Sequence, residues 1–148
     1  MQEGNRFAQM VSFAGYLPEK QVTTKSFAGV DDLPRSLDFV RLTGIDSHHE
    51  ASKDQGSFEL AIEAANKALA RADLDARSID LIINASVSKM DKDLSQHLSP
   101  SYATLIANEL GASNAQTFDV SNACASMMTS LMIAESRIKS GKVDYALI

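Results

Sequence analysis

The clearest period in the chain runs from Ser57 to Ala72, where Phe58, Ala61, Ile62, Ala65, Leu69 and Ala72 share one face and Glu59, Glu63, Lys67 and Arg71 line the other. That spacing predicts an amphipathic helix. Leu33, Leu37 and Val40, with Pro34 in a first turn and Gly44 past the end, predict a shorter helix over Val30 to Leu42. Ser99 as a cap, Pro100 at the first helical position and Gly111 after the last turn punctuate another over Ser99 to Leu110. Ile79 to Val87 reads instead as a β-branched run too continuous for a sheet with one wet face, which predicts a parallel strand covered on both sides. Phe7 to Ala14, closed by Gly15 and Pro18, Ala115 to Val120, and Val143 to Ile148 read as further strands. Cys124 to Lys139 is apolar or small through Ala134, so it predicts a helix buried all round in its first half and ended by Gly141. Strands alternating with helices imply an α/β fold with a mostly parallel sheet. The last strand stops without a polar terminator, and the chain reads as one module that has been cut off.

Composition narrows the classes. The chain has 148 residues, 45% hydrophobic and 22% charged, which suits one soluble globular domain able to bury a core without staples. A net charge of -5 with Lys and Arg scattered among acids gives no basic stripe for nucleic acid. No apolar run has the length of a membrane span, and the first residues lack the pattern of a signal peptide, so the expected place is the cytoplasm. One cysteine and three histidines offer neither a disulfide nor a tetrahedral metal set.

The chemistry therefore rests on Cys124, which follows a predicted strand and opens a long helix. Unpaired amides and the positive end of the helix dipole favour a thiolate there and form a partial oxyanion site. The competing reading is a small inert core residue, and the expectation that goes with the buried helix is a Cys124 with less than a tenth of its area exposed unless a tunnel reaches it. His48, His49 and His97 have no sequence neighbour to orient them and read as solvated loop residues. Met127, Met128 and Met132 read as core filling. Asp91 and Asp93 flank Lys92 in what reads as a solvated loop, and the glycosylation pattern at Asn84 falls in a strand expected to be buried. No glycine-rich phosphate loop is present.

Several collinear pieces resemble one family: Gly15 to Glu19 (Gly-Tyr-Leu-Pro-Glu), Leu42 to Ile45 followed by two histidines, Pro100 to Ala103 (Pro-Ser-Tyr-Ala), Phe118 to Ala125 (Phe-Asp-Val-Ser-Asn-Ala-Cys-Ala), and Ser140 to Ile148. Together they are similar to the N-terminal half of a β-ketoacyl-ACP synthase III. The resemblance implies a thiolase-like fold, with residues 1–148 as its N-terminal βαβαβ half and a C-terminal half missing. It also implies that Cys124 takes an acyl group from a coenzyme A or carrier-protein thioester, its own N–H contributing to the oxyanion hole, before a malonyl carrier is decarboxylated and its carbanion attacks. The His and Asn that promote decarboxylation belong to the family's other half. The implied partners are the acyl thioester, acyl carrier protein and a second copy paired through Ala115 to Val120; no bound cofactor is implied. The fields that follow are fatty acid or polyketide synthesis, by an acyltransferase inactive as the 148-residue chain alone. Two departures stand out. Asp38 and Leu42 occupy the places of a Trp and an Arg near the adenine in bacterial initiating enzymes, which leaves room for a donor other than coenzyme A, and Ala125 to Met128 replaces the usual Ala-Gly-Phe. The alternatives are a non-catalytic, truncated thiolase-fold partner or dimerisation subunit, and a cysteine hydrolase, for which no local base is visible.

Overall fold

The computed structural model describes residues 6–26 and 38–148. Three parallel strands form its centre: β3 (Leu81–Asn84) lies between β4 (Gln116–Asp119) and β5 (Ala146–Leu147). A separate antiparallel pair joins β1 (Lys20–Thr23) to β2 (Ser47–Glu50), with Lys20 opposite Glu50 and Thr23 opposite Ser47. Helices α1 (Phe39–Thr43), α2 (Ser57–Ala72), α3 (Tyr102–Leu110) and α4 (Ser126–Lys139) complete the set. The α/β class and the mostly parallel sheet expected from the sequence are what the structure has.

The continuous apolar run is explained by β3 itself. Leu81, Ile82 and Ile83 are 0–2% exposed. Ile82 packs with α2 and α3 through Leu69, Tyr102, Ala103 and Ile106. Leu81 and Ile83 point the other way, onto Ala134 of α4 and Val143. A strand with helices on both faces has no wet side to carry polar residues. Each such side chain stabilises the fold by roughly 1.5–3 kcal/mol relative to exposure.

Three expectations need correction. Phe7 to Ala14 is not a strand; this segment lies along α2, where Ser12 donates to the Ala68 carbonyl at 2.6 Å and Arg71 donates to the Phe13 carbonyl at 2.6 Å, while Phe7, Met10, Val11 and Phe13 stay exposed. The α3 cap is Ser101 rather than Ser99, its hydroxyl accepting from the Thr104 amide at 3.2 Å, so Pro100 lies outside the helix. The left-handed Gly111 ends α3 as expected. Of the helix expected over 30–42, residues 30–37 fall outside the described residues; the rest is α1, capped by Asp38 and closed by Gly44 at φ 71.

Most consequential is α4. It buries only the stripe Ser126, Ser130 and Ala134, while Met127, Met128 and Met132 are 51%, 62% and 69% exposed. The sheet can cover one side of a helix, and residues four apart share that side. The methionines therefore are not core filling in this chain.

Candidate functional site

Cys124 sits in the six-residue connection from β4 to α4, two positions before the first helical residue. The strand-to-helix placement read from the sequence stands, but the burial does not: Cys124 is exposed. Its apolar neighbours Met127 and Met128 point outward with it, so they cannot cover it. The turn is tightly made. Asn122 donates its N–H to the Ser126 hydroxyl at 2.8 Å, Ser126 donates to the Ala123 carbonyl at 2.9 Å, and the Ala125 amide donates to the Asn122 carbonyl at 2.9 Å. Ala123 adopts φ 43, a left-handed value that costs an L-residue roughly 1–2 kcal/mol. Ala125 is the N-cap of α4 and offers no side-chain acceptor to the first-turn amides.

The other carboxyl-end loop, from β3 to α3, holds a polar cluster that the sequence reading missed. Asp119, at the end of β4, accepts from Lys89 Nζ at 2.9 Å and from the Tyr102 and Ala103 amides at 3.3 and 3.0 Å. It thereby anchors the start of α3. Burial pushes this carboxyl up, yet Lys89 and the Ala103 amide outweigh it and hold Asp119 below its ordinary value. Asn84 faces it across the ladder, its buried Nδ2 falling short of a full hydrogen bond.

Asp91 and His97 are not simply solvated. Asp91 accepts from the Tyr102 hydroxyl at 3.0 Å, while His97 Nδ1 lies 3.1 Å from Asp91 and Nε2 lies 2.8 Å from the Pro100 carbonyl. A carbonyl and a carboxylate can only accept, so it is the doubly protonated ring that satisfies both contacts. Asp91 first, then the Pro100 carbonyl, raise the His97 pKa above its ordinary 6.5. The Tyr102 hydroxyl is pushed up as well, by burial first and then by Asp91. His48 and His49 belong to β2 rather than to a loop; His48 lies 3.5 Å from Glu50, and His49 meets the Pro18 carbonyl at 2.6 Å.

Gly56 shows why this loop sits where it does. A Cβ there would fall 2.9 Å from the Met90 carbonyl oxygen, and the Ser57 amide donates to that same oxygen at 2.9 Å. Only a residue without a side chain admits the approach. No sequence motif marked it, since a close backbone approach leaves no periodic trace.

Among the described residues, a hollow of about 370 Å³ is lined by Phe58, Glu59, Asp91, Lys92, Asp93 and Leu105, and another of about 450 Å³ lies against α4 at Met132 and Lys139. Cys124 lines neither. No group of three metal-ligating side chains comes together among the described residues, and none of their helices is long and apolar enough to cross a membrane.

The chain shares its fold with solved thiolase-fold proteins. The priming β-ketosynthase of the R1128 polyketide pathway superposes on it with TM-score 0.81 at 30% identity, over 94% of this chain and 40% of that one. OleA of Xanthomonas campestris, solved as a cysteine-to-serine variant with bound lauric acid and lauroyl-CoA, gives TM-score 0.83 at 27% identity, over 97% of this chain and 43% of that one. Within the fold, the resemblance to β-ketoacyl-ACP synthase III stands. The enzyme of that name from Clostridium perfringens is 36% identical over 142 residues, which is 95% of this chain. The chain spans 41% of the length of that relative. No family model matches it.

Proposed function

We propose that this chain is the acyl-accepting, N-terminal half of a β-ketoacyl-ACP synthase III-like condensing enzyme. The Cys124 thiolate attacks the carbonyl carbon of an acyl thioester; the tetrahedral oxyanion collapses, the coenzyme A or carrier thiolate leaves, and the acyl group stays on sulfur. First-turn amides of α4 and the Cys124 N–H stabilise the oxyanion. A malonyl carrier then loses carbon dioxide, and its carbanion attacks the acyl carbonyl and releases Cys124. The decarboxylating His and Asn come from a C-terminal half, so residues 1–148 alone do not turn over.

What supports this is the place of Cys124, in Phe118 to Ala125 between β4 and α4, within the stretch that aligns with the synthases. Bound lauroyl-CoA in the OleA relative supports an acyl-CoA donor, and acyl carrier protein is the other partner. β4 is an edge strand in the described sheet, which supports a homodimer paired through Ala115 to Val120. We place the enzyme in the cytoplasm. The test is intact-mass spectrometry after incubation with lauroyl-CoA: one acyl adduct, lost in Cys124→Ser, is expected.

The exposure of Cys124, which lines neither of the two hollows, favours a second reading, a non-catalytic thiolase-fold partner or dimerisation subunit. Absence of the adduct, together with a stable complex between the chain and a candidate C-terminal half, selects it.

A further inference from the structure

We infer that Ser126 is the positioning residue of the Cys124 turn, an inference that rests on the nucleophile reading just given. Ser126 is 2% exposed although it opens a helix whose next two residues are more than half exposed. Its hydroxyl closes the turn from inside, accepting the Asn122 N–H at 2.8 Å and donating to the Ala123 carbonyl at 2.9 Å. Those two bonds flank the left-handed Ala123, a conformation an L-residue holds only where its surroundings over-determine it. Cys124 follows directly, so the direction of its Cα–Cβ bond is fixed by backbone that Ser126 holds. The Asn122 side chain adds a tie from the rim, its Nδ2 donating to Thr129 Oγ1 at 3.0 Å.

The hydroxyl is a property of this chain's sequence and not of the helix start in general. The usual Ala-Gly-Phe after the cysteine, which the resemblance supplies, carries glycine here and could make neither bond. Ser130 provides a control from the same stripe: it is 0% exposed, and its hydroxyl donates to the Ser126 carbonyl at 2.9 Å, one helical turn away, rather than to any group of residues 122–125. Loss of a buried hydroxyl is common to both sites; loss of the turn clamp is confined to Ser126.

The experiment compares the full chain with Ser126→Ala, Ser126→Thr and Ser130→Ala. In the wild type, the Asn122 amide, although on an exposed residue, exchanges more slowly than its intrinsic rate because of its bond to Ser126. In Ser126→Ala exchange at Asn122 and Ala125 speeds up by about fivefold or more. Ser126→Thr keeps the protection, and Ser130→Ala leaves it in place. Single-turnover acylation of Cys124 by lauroyl-CoA slows by about tenfold or more at saturation in Ser126→Ala, with the half-saturating concentration unchanged, since the thiolate is misaimed and not the substrate misbound. An unprotected Asn122 amide in the wild type overturns the inference without need of any variant. So does wild-type acylation by folded Ser126→Ala, or equal slowing in Ser130→Ala. If wild-type Cys124 takes no acyl group, the nucleophile reading fails, while the exchange comparison still decides what Ser126 does.

Discussion

At the scale of single residues, the charge state of His97 decides how firmly the loop before α3 is held. Its ring bridges Asp91 and the Pro100 carbonyl and lies 4.8 Å from the Tyr102 ring, centre to centre. The folded pKa is raised, so the bridge's contribution is fully present below about pH 6.5 and is lost as pH rises through the folded value. Amide exchange in residues 90–98 should therefore accelerate on raising the pH from 6 to beyond the folded pKa, after correction for the intrinsic rate, and His97→Gln should abolish that dependence. A pH-independent loop would show that the bridge does not hold it. Asp119 has the opposite sign. Its pKa is lowered, so its anchoring of α3 is present above the ordinary carboxylate value and fades as pH falls through the folded one.

At the scale of elements, stability divides unevenly among the pieces. Truncating Ile82, on the α2 and α3 side of the central strand, should cost about 2–5 kcal/mol, whereas removing the Ser101 cap should cost only about 1 kcal/mol. Urea midpoints of Ile82→Ala and Ser101→Ala, converted with a common slope, test the ranking. Gly56→Ala belongs with the costly changes, because its Cβ would press on backbone at Met90 to Lys92 that has no rotamer to move; a loss of about 1–3 kcal/mol is expected in the same assay.

Elements were also where the sequence was most and least informative. β3, α2 and the Gly111 stop were legible because a two-sided strand, a charged helix face and a left-handed cap each leave a local pattern. Phe7 to Ala14 misled because apolar residues in a short run do not say whether they will find a ladder; here Arg71 of α2 takes the Phe13 carbonyl and the Ser12 hydroxyl ties the segment to the Ala68 carbonyl instead. The junction at Cys124 was legible from the change of period, while its exposure was not, since a row of apolar residues fixes a helix but not how many of its faces are covered. His97 and Asp91 read as solvated because nothing in the spacing of residues 91, 97 and 100 shows that the loop folds back on itself, and Asp119 was passed over because its partners, Lys89 and the Tyr102 and Ala103 amides, lie 16 to 30 residues away.

At the scale of the whole molecule, α4 turns Met127, Met128 and Met132 outward, each more than half exposed. Exposed methionines on one helix suit a face that another body covers. Sedimentation of the 148-residue chain should show concentration-dependent association, and a variant carrying Met128→Lys and Met132→Lys should move it toward monomer. On the function proposed above, a candidate C-terminal half added in trans should suppress association of the unsubstituted chain as well. A monodisperse monomer at high concentration would count against a covered α4 face.

The central position of β3 has a consequence for synthesis. Both its neighbours come later in the chain: Leu81 pairs with Gln116 on one side and with Ala146 on the other. On a ribosome adding about 5–20 residues per second, the most apolar strand emerges roughly 2–7 seconds before β4 and nearly twice as long before β5. During that interval α2, already made, is the element available to shield it, and it covers the Ile82 side alone. Leu81 and Ile83 must wait for α4. Slowing translation between residues 85 and 115 therefore lengthens the lifetime of a bare, β-branched segment, and the yield of soluble chain should depend on the speed of that stretch more than on any other.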